Sequence, residues 1–256
     1  MIVKKNPEIR QLYLKELERF INGEKSLPEN RLSKDLTKGH KSDALNCLLT
    51  GYYARTVDNP PPMNITMLLN ISLGRAFERM LSVYGELEPK EKDGILVTPD
   101  DMVDDVLSEI KMTKETFELF NPVESHPDWV KGMMAECEVY NTNIHHLAVG
   151  FIAGNLQSKS WFGQKLHKQA GIIPLQEWVN VAFEVWTFEF TEIEIKENWG
   201  WLKDRIDYLF ECIEKGQPPS MATITLDLQD KKWLCKNCRW RSICKYLNLE
   251  ENILRQ

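Results

Sequence analysis

The stretch Gly94-Ile95-Leu96-Val97-Thr98-Pro99-Asp100-Asp101-Met102-Val103-Asp104-Asp105-Val106-Leu107-Ser108-Glu109-Ile110-Lys111 constrains this chain more than any other. Two runs rich in Ile, Val and Leu flank a short acidic break, the pattern of an antiparallel hairpin. A reversal at Asp104-Asp105 makes Asp100 and Glu109 cross-strand partners, because the two lie equally far from the turn. Directly opposed residues have Cβ atoms roughly 5 Å apart. Side chains alternate faces along a strand, so Lys111 projects beside Glu109. Two carboxylates and an ammonium are therefore expected at one spot. Asp-Asp is not the Asn-Gly or Asp-Gly that a two-residue turn prefers, so a bulge or longer loop with a shifted register stays open.

Paired hard oxygen ligands suit Mg²⁺ or Mn²⁺, which bind through one or two carboxylates, water and substrate phosphate. A lysine beside them can orient or help deprotonate a water, the outline of phosphodiester hydrolysis. The competing structural reading is a solvated edge strand carrying a cross-strand ion pair. Two other Glu-x-Lys triplets, Glu88-Pro-Lys90 and Glu194-Ile-Lys196, lack an aspartate at hairpin distance.

At 256 residues the chain holds one large domain or two small ones, with ample material for a core. Apolar residues at 43% and charged residues at 27% describe an ordinary soluble globular composition. The sequence has no apolar run of membrane-spanning length, and Met1-Ile2-Val3-Lys4-Lys5-Asn6 lacks a signal-peptide core, so a cytoplasmic protein is expected. A net charge of −6 argues against indiscriminate coating of nucleic acid but permits a local basic groove.

Residues 7 to 22 have the period of an amphipathic helix that stops near Asn22-Gly23, and Ser42-Asp43 is placed to cap a second helix carrying Cys47. Asn59-Pro60-Pro61-Pro62 is an extended connector. Residues 65 to 84 form a strong helical pattern in which Glu78, after Gly74, interrupts an apolar neighbourhood. A helix is expected from His126-Pro127-Asp128 through Tyr140, and a strand from Ile144 to Ile152. Adjacent residues on a strand face opposite ways, so His145 and His146 are poor joint metal ligands and are read as structural. Alternation from Val179 to Ile195 predicts one long half-buried strand, with a turn within it as the alternative, and Trp199 to Lys215 a helix ending at Gly216-Gln217-Pro218-Pro219. No internal repeat is evident.

Near the C-terminus, Cys235-Lys-Asn-Cys238-Arg-Trp-Arg-Ser-Ile-Cys244 brings three thiols into a short span. In a cytoplasmic chain such spacing points to metal rather than disulfide. A fourth ligand is needed; Cys47 is the freer choice, because Cys137 and Cys212 lie on core-facing helix patterns. Ligation by Cys47 would close a loop spanning most of the chain. Zinc and [4Fe-4S] both accept four cysteines. Lys231, Lys232, Lys236, Arg239, Arg241 and Lys245 surround the motif, either as a solvated face or as a contact for DNA phosphate.

The order of these features resembles the RecB-like PD-(D/E)xK nucleases, in particular the iron-sulfur subgroup of CRISPR adaptation modules and its virus-encoded relatives. Pro99-Asp100 matches the PD element, Glu109-Ile110-Lys111 the (D/E)xK element, and Cys47 with Cys235, Cys238 and Cys244 the one-plus-three cysteine arrangement. The resemblance covers nearly the whole chain. It implies an α/β fold with a mixed central sheet flanked by helices, as a single nuclease domain over 1–256. Within it, 1–66 is a helical part with Cys47, 67–198 the core, and 199–256 the C-terminal helix and cysteines. It favours a [4Fe-4S] cluster over zinc, joining the N- and C-terminal parts.

Two positions depart from the family pattern. Glu78 stands where Gly-x-x-x-His is frequent, and Glu136 with Tyr140 stands where Gln-x-x-x-Tyr is usual. By resemblance, Asp100, Glu109, Glu78 and the Ile110 carbonyl hold Mg²⁺ or Mn²⁺, Lys111 orients the attacking water, and Glu136 with Tyr140 places the DNA strand. The expected activity is a metal-dependent DNA nuclease, an exonuclease preferring single strands or ends, with endonuclease activity as a second expectation. The alternatives are a weakly active DNA-binding assembly factor in a recombination or CRISPR spacer-acquisition complex, and a zinc-stabilised enzyme for another phosphoester. Expected partners are DNA and CRISPR adaptation or viral recombination proteins.

Overall fold

A type I′ turn closes the hairpin. Asp104 and Asp105 both take the left-handed conformation, with φ of 51° and 61°, a region aspartate tolerates because its short side chain hydrogen-bonds locally. The computed structural model describes residues 1–24, 35–63, 65–84, 87–113, 115, 117, 119–151, 183–228, 234–235 and 238–244.

In chain order the elements are β1 (Ile2–Lys5), α1 (Pro7–Ile21), β2 (Gly39–His40), α2 (Lys41–Leu45), α3 (Leu48–Thr56) and α4 (Ile65–Leu81). Next come β3 (Lys90–Lys92), β4 (Ile95–Val97), β5 (Asp101–Val103), β6 (Val106–Thr113), α5 (Pro127–Tyr140) and β7 (Ile144–Phe151). The described chain continues with β8 (Phe183–Glu189), α6 (Glu192–Glu214) and α7 (Met221–Leu228).

The main sheet runs β1-β8-β7-β6-β5 and is mixed: β6 and β7 are parallel, joined across α5, while the other neighbours are antiparallel. Side-chain alternation along β7 assigns its two faces. Leu147, Val149 and Phe151 pack with Val130 and Met133 of α5, whereas Ala148 packs with Ile9 and Tyr13 of α1 and Leu81 of α4. Helices thus cover both faces, as a sheet containing a buried parallel pair requires. Gly150 lets α4 approach, since an added Cβ would collide with the Phe77 ring.

Several sequence expectations are corrected. Ile95–Val97 does not extend the hairpin; it leaves at Thr98-Pro99 for a small sheet ordered β2-β4-β3, so the ribbon is only Asp101–Val103 against Val106–Ser108. The helix around Cys47 is broken: Cys47 is the non-helical residue that opens α3, with ψ of 122°, and α2 precedes it. Ser42-Asp43 lies inside the first turn of α2, where the Asp43 carboxylate accepts from the His40 N–H at 3.1 Å. The expected strand to Ile195 ends at Glu189, and α6 begins at Glu192. Thr191 and Glu194 form a capping box, with Thr191 Oγ1 accepting from Glu194 N–H and the Glu194 carboxylate accepting from Thr191 N–H. Thr-x-x-Glu was the overlooked helix-start signal. Residues 179–182 of that expected strand, together with Ile152, Lys231, Lys232, Lys236 and Lys245, lie outside the described residues.

Candidate metal and nucleic-acid site on strand β6

The ladder sets the site. β5 pairs with β6 as Asp101 opposite Ser108 and Val103 opposite Val106, so one step outward Asp100 stands opposite Glu109. Lys111 Nζ reaches both carboxylates, donating to Asp100 Oδ2 at 2.8 Å and lying 2.6 Å from Glu109 Oε1. Ile110 meets Asp100 through its backbone, its N–H donating to the same oxygen at 2.9 Å, while its side chain is in the core. Asp100 and Glu109 are both buried.

Burial alone would lower the Lys111 pKa, but Asp100, Glu109 and Glu78 outweigh it and raise it well above the usual lysine range. Glu78, on α4, is thus near enough for its charge to act on Lys111. Burial would raise the Glu109 pKa; Lys111 and Lys41 reverse that and hold it below the usual carboxylate range. Both groups are therefore charged at neutral pH.

Lys41, at the start of α2, extends the site further into the protein. Its Nζ donates to Glu109 Oε2 at 3.1 Å and also bonds Glu136 Oε1, and these two carboxylates raise its pKa against the opposing effect of burial. Glu136 Oε2 in turn lies 2.5 Å from His145 Nε2, and His145 Nδ1 lies 2.8 Å from the His146 carbonyl. A carbonyl only accepts, so Nδ1 carries a proton and one further proton is shared between Nε2 and Oε2. Either way the Glu136–His145 pair is neutral as a unit. Burial is the main effect raising the Glu136 pKa, with Lys41 and His145 pulling against it. Asp100, Glu109, Lys41 and Lys111 then balance in charge, as buried ions must.

The roles expected of Glu136 and Tyr140 separate here. Glu136 is 0% exposed and bonded on both oxygens, so it faces no DNA strand and is corrected to a buried partner of Lys41. The Tyr140 hydroxyl donates to the Glu88 carbonyl at 2.9 Å with Lys90 over its ring, and burial pushes its phenol up to about 12. Lys41 is the residue that sequence reasoning missed, and His145, read there as structural, was not linked to Glu136. Their signal was a pair of histidines inside an otherwise apolar strand run and a lysine at a helix start, both weak when read singly. His146 faces the other way, with its Nδ1 3.1 Å from Thr187 Oγ1, as strand alternation requires.

A second constellation lies elsewhere. Cys47, Cys235, Cys238 and Cys244 all pack against one apolar cluster containing Leu48, Tyr53, Leu209, Ile224 and Trp240. Burial is the main effect pushing the Cys47 thiol up to about 12, and Cys235 and Cys238 add to it. Cys212, on α6, is buried in that same cluster, whereas Cys137 is buried in a different one, on α5. Among the described residues, no group of three or more His, Cys, Asp or Glu is arranged to hold a single metal ion. No described helix is long and apolar enough to cross a membrane.

No family model matches the sequence, and no curated protein matches it. Two solved structures overlap it loosely. The crystal structure of SSO0001 is 14% identical with a TM-score of 0.44, covering 93% of this chain and 96% of its own. A phage-related exonuclease from Haemophilus somnus 129PT is 11% identical with a TM-score of 0.37, covering 81% and 83%.

Proposed function

We propose that this chain is a divalent-metal-dependent deoxyribonuclease, an exonuclease on single-stranded DNA or DNA ends with internal cutting as a further activity. The observation that carries this reading is the convergence of Asp100 and Glu109 on the single ammonium of Lys111. Lys111 Nζ occupies the position that a metal ion would contest, between two hard oxygen donors of the kind Mg²⁺ and Mn²⁺ prefer. The donor set therefore fits the ion. When bound, such an ion supplies Lewis-acid stabilisation of the phosphate and lowers the pKa of water.

The chain's own groups do the rest. Asp100, oriented by the Ile110 N–H, and Glu109 would hold the ion, and Glu78 would add negative charge beside it. Lys111 stays protonated and orients the attacking water or offsets charge on the phosphate. Its side chain, 23% exposed, is the part of the site open to substrate.

The four clustered cysteines form the proposed seat of a [4Fe-4S] group with a structural role. Four soft sulfur donors in one apolar shell suit that group, and its iron would supply the positive charge that thiolates need there. Cys238 N–H donates to the Cys235 carbonyl at 3.3 Å, which brings two of the donors together locally.

Purified protein is expected to degrade labelled single-stranded DNA with Mn²⁺ and to stop in EDTA, and Asp100→Asn is expected to remove the activity. Wild-type protein that leaves single strands and duplex ends intact with Mn²⁺ would overturn the nuclease reading.

A further inference from the structure

We propose that Lys41 is a positioning residue for Glu109, held in place by the neutral Glu136–His145 pair, an inference that rests on the nuclease reading above. Glu109 is divided between two ammonium groups: Oε1 turns toward Lys111 and Asp100, while Oε2 is taken by Lys41 at 3.1 Å. The terminal torsion of a glutamate is broad. A metal-binding carboxylate with one free oxygen would sample that whole range, so fixing Oε2 fixes where Oε1 points.

A lysine side chain carries about 2 kcal/mol of rotamer entropy and does not hold such a place unaided. Glu136 grips the same nitrogen from α5, His145 on β7 grips Glu136, and the His146 carbonyl grips His145. Three elements that share no hairpin therefore meet behind one carboxylate. Gly132, one turn before Glu136, lies against α2: a Cβ added there would make ordinary contact, 3.4 Å from Leu45 and 3.9 Å from Lys41 Nζ. Stability alone does not account for the arrangement, because apolar side chains of similar volume usually serve a buried position as well or better. A carboxylate at position 136, where the resemblance leads one to expect an amide, has one oxygen to accept from Lys41 and a second to share a proton with His145.

The electrostatic and positional effects of removing Lys41 have opposite signs, which separates this role from simple packing. Loss of its positive charge beside Glu109 strengthens the attraction of the site for a divalent cation. Loss of the grip on Oε2 misplaces the carboxylate, and removal of a residue that orients a ligand typically costs 10- to 100-fold.

The experiment compares wild type with Lys41→Met, Glu136→Gln and the double variant. It reads Mn²⁺ binding without DNA by electron paramagnetic resonance of the free ion, kcat and KM on single-stranded DNA, and thermal midpoint. Lys41→Met is expected to bind Mn²⁺ as tightly as wild type or more tightly while kcat falls about 10- to 100-fold and KM for DNA holds. Glu136→Gln, which keeps the shape, is expected to lower kcat less, and the double variant no further than Lys41→Met, because the two act in series. If Lys41→Met fails to fold, the shape-preserving Glu136→Gln decides alone: a kcat equal to wild type overturns the relay. Unchanged kcat in folded Lys41→Met, or parallel loss of Mn²⁺ binding and kcat, also overturns it while leaving the nuclease reading standing. Wild type that neither binds Mn²⁺ nor cleaves removes both.

Discussion

The charged centre on β6 and the thiol cluster around Trp240 are both partly buried and both built from residues far apart in sequence, yet they are held in different ways. At the charged centre each ionic group has a named partner of opposite sign, from Asp100 through Lys111, Glu109 and Lys41 to the Glu136–His145 pair. At the thiol cluster the side chains share an apolar shell, and burial drives the Cys47 thiol toward its neutral form. The first site is complete in charge without a guest and would exchange one cation for another. The second would need a guest of positive charge to hold its cysteines as thiolates. The comparison teaches that the two sites should fail differently: the first by losing turnover, the second by losing the fold.

The largest expected effect tests the first half of that contrast. Lys111→Ala should lower cleavage by about 10²–10⁴-fold, the range for removing a group that manages a proton or charge at the reaction centre. Circular dichroism and DNA binding should stay near wild type. Retained turnover would take Lys111 out of the mechanism and erase the functional side of the comparison.

The next effect tests the second half. Cys235→Ser should remove broad visible absorbance from purified protein and lower stability by about 3–5 kcal/mol, the scale of opening a long cross-linked loop. Cleavage per folded molecule should persist. A variant that stays as stable as wild type but stops cutting would reverse the assignment of roles.

The smallest effect sharpens the boundary of the charged centre. Burial is the main cause that lowers the His146 pKa to about 4, helped by His145, whereas an unfolded histidine titrates near about 6.5. The unfolded chain therefore binds the extra proton first, so the stability this residue contributes is full above about pH 6.5 and is lost as the pH falls toward the folded value. The slope is at most about 1.4 kcal/mol per pH unit. Denaturant titrations at pH 7 and pH 5 should show that decline in wild type and less of it in His146→Asn. An equal decline in both would place the acid sensitivity elsewhere.

Much of the site geometry was legible in the sequence because a two-residue turn and strand alternation are local rules. Asp100, Glu109 and Lys111 follow from the position of Asp104-Asp105, and the acidic turn that departs from the favoured Asn-Gly still closes because aspartate reaches the left-handed region. The opposite facing of His145 and His146 follows from the same alternation. Where the reading failed, two rules competed. The alternating pattern through Ile195 was overridden by the Thr191 and Glu194 capping box, and the apolar run Ile95–Val97 was diverted at Pro99 into another sheet.

Taken by itself, the amino-acid order determined the hairpin register, the amphipathic helices and the clustering of three cysteines, because each depends on neighbours within a few residues. Tertiary structure alone decided that Lys41, Glu136 and His145 stand in line behind Glu109, and it brought Cys47, which the sequence had singled out, into one shell with the C-terminal thiols. Those meetings depend on how α2 and α5 pack over parallel β6 and β7, and on α3 and α6 closing over the cysteines. A charge finds its partner there through packing in three dimensions, which no periodicity along the chain records.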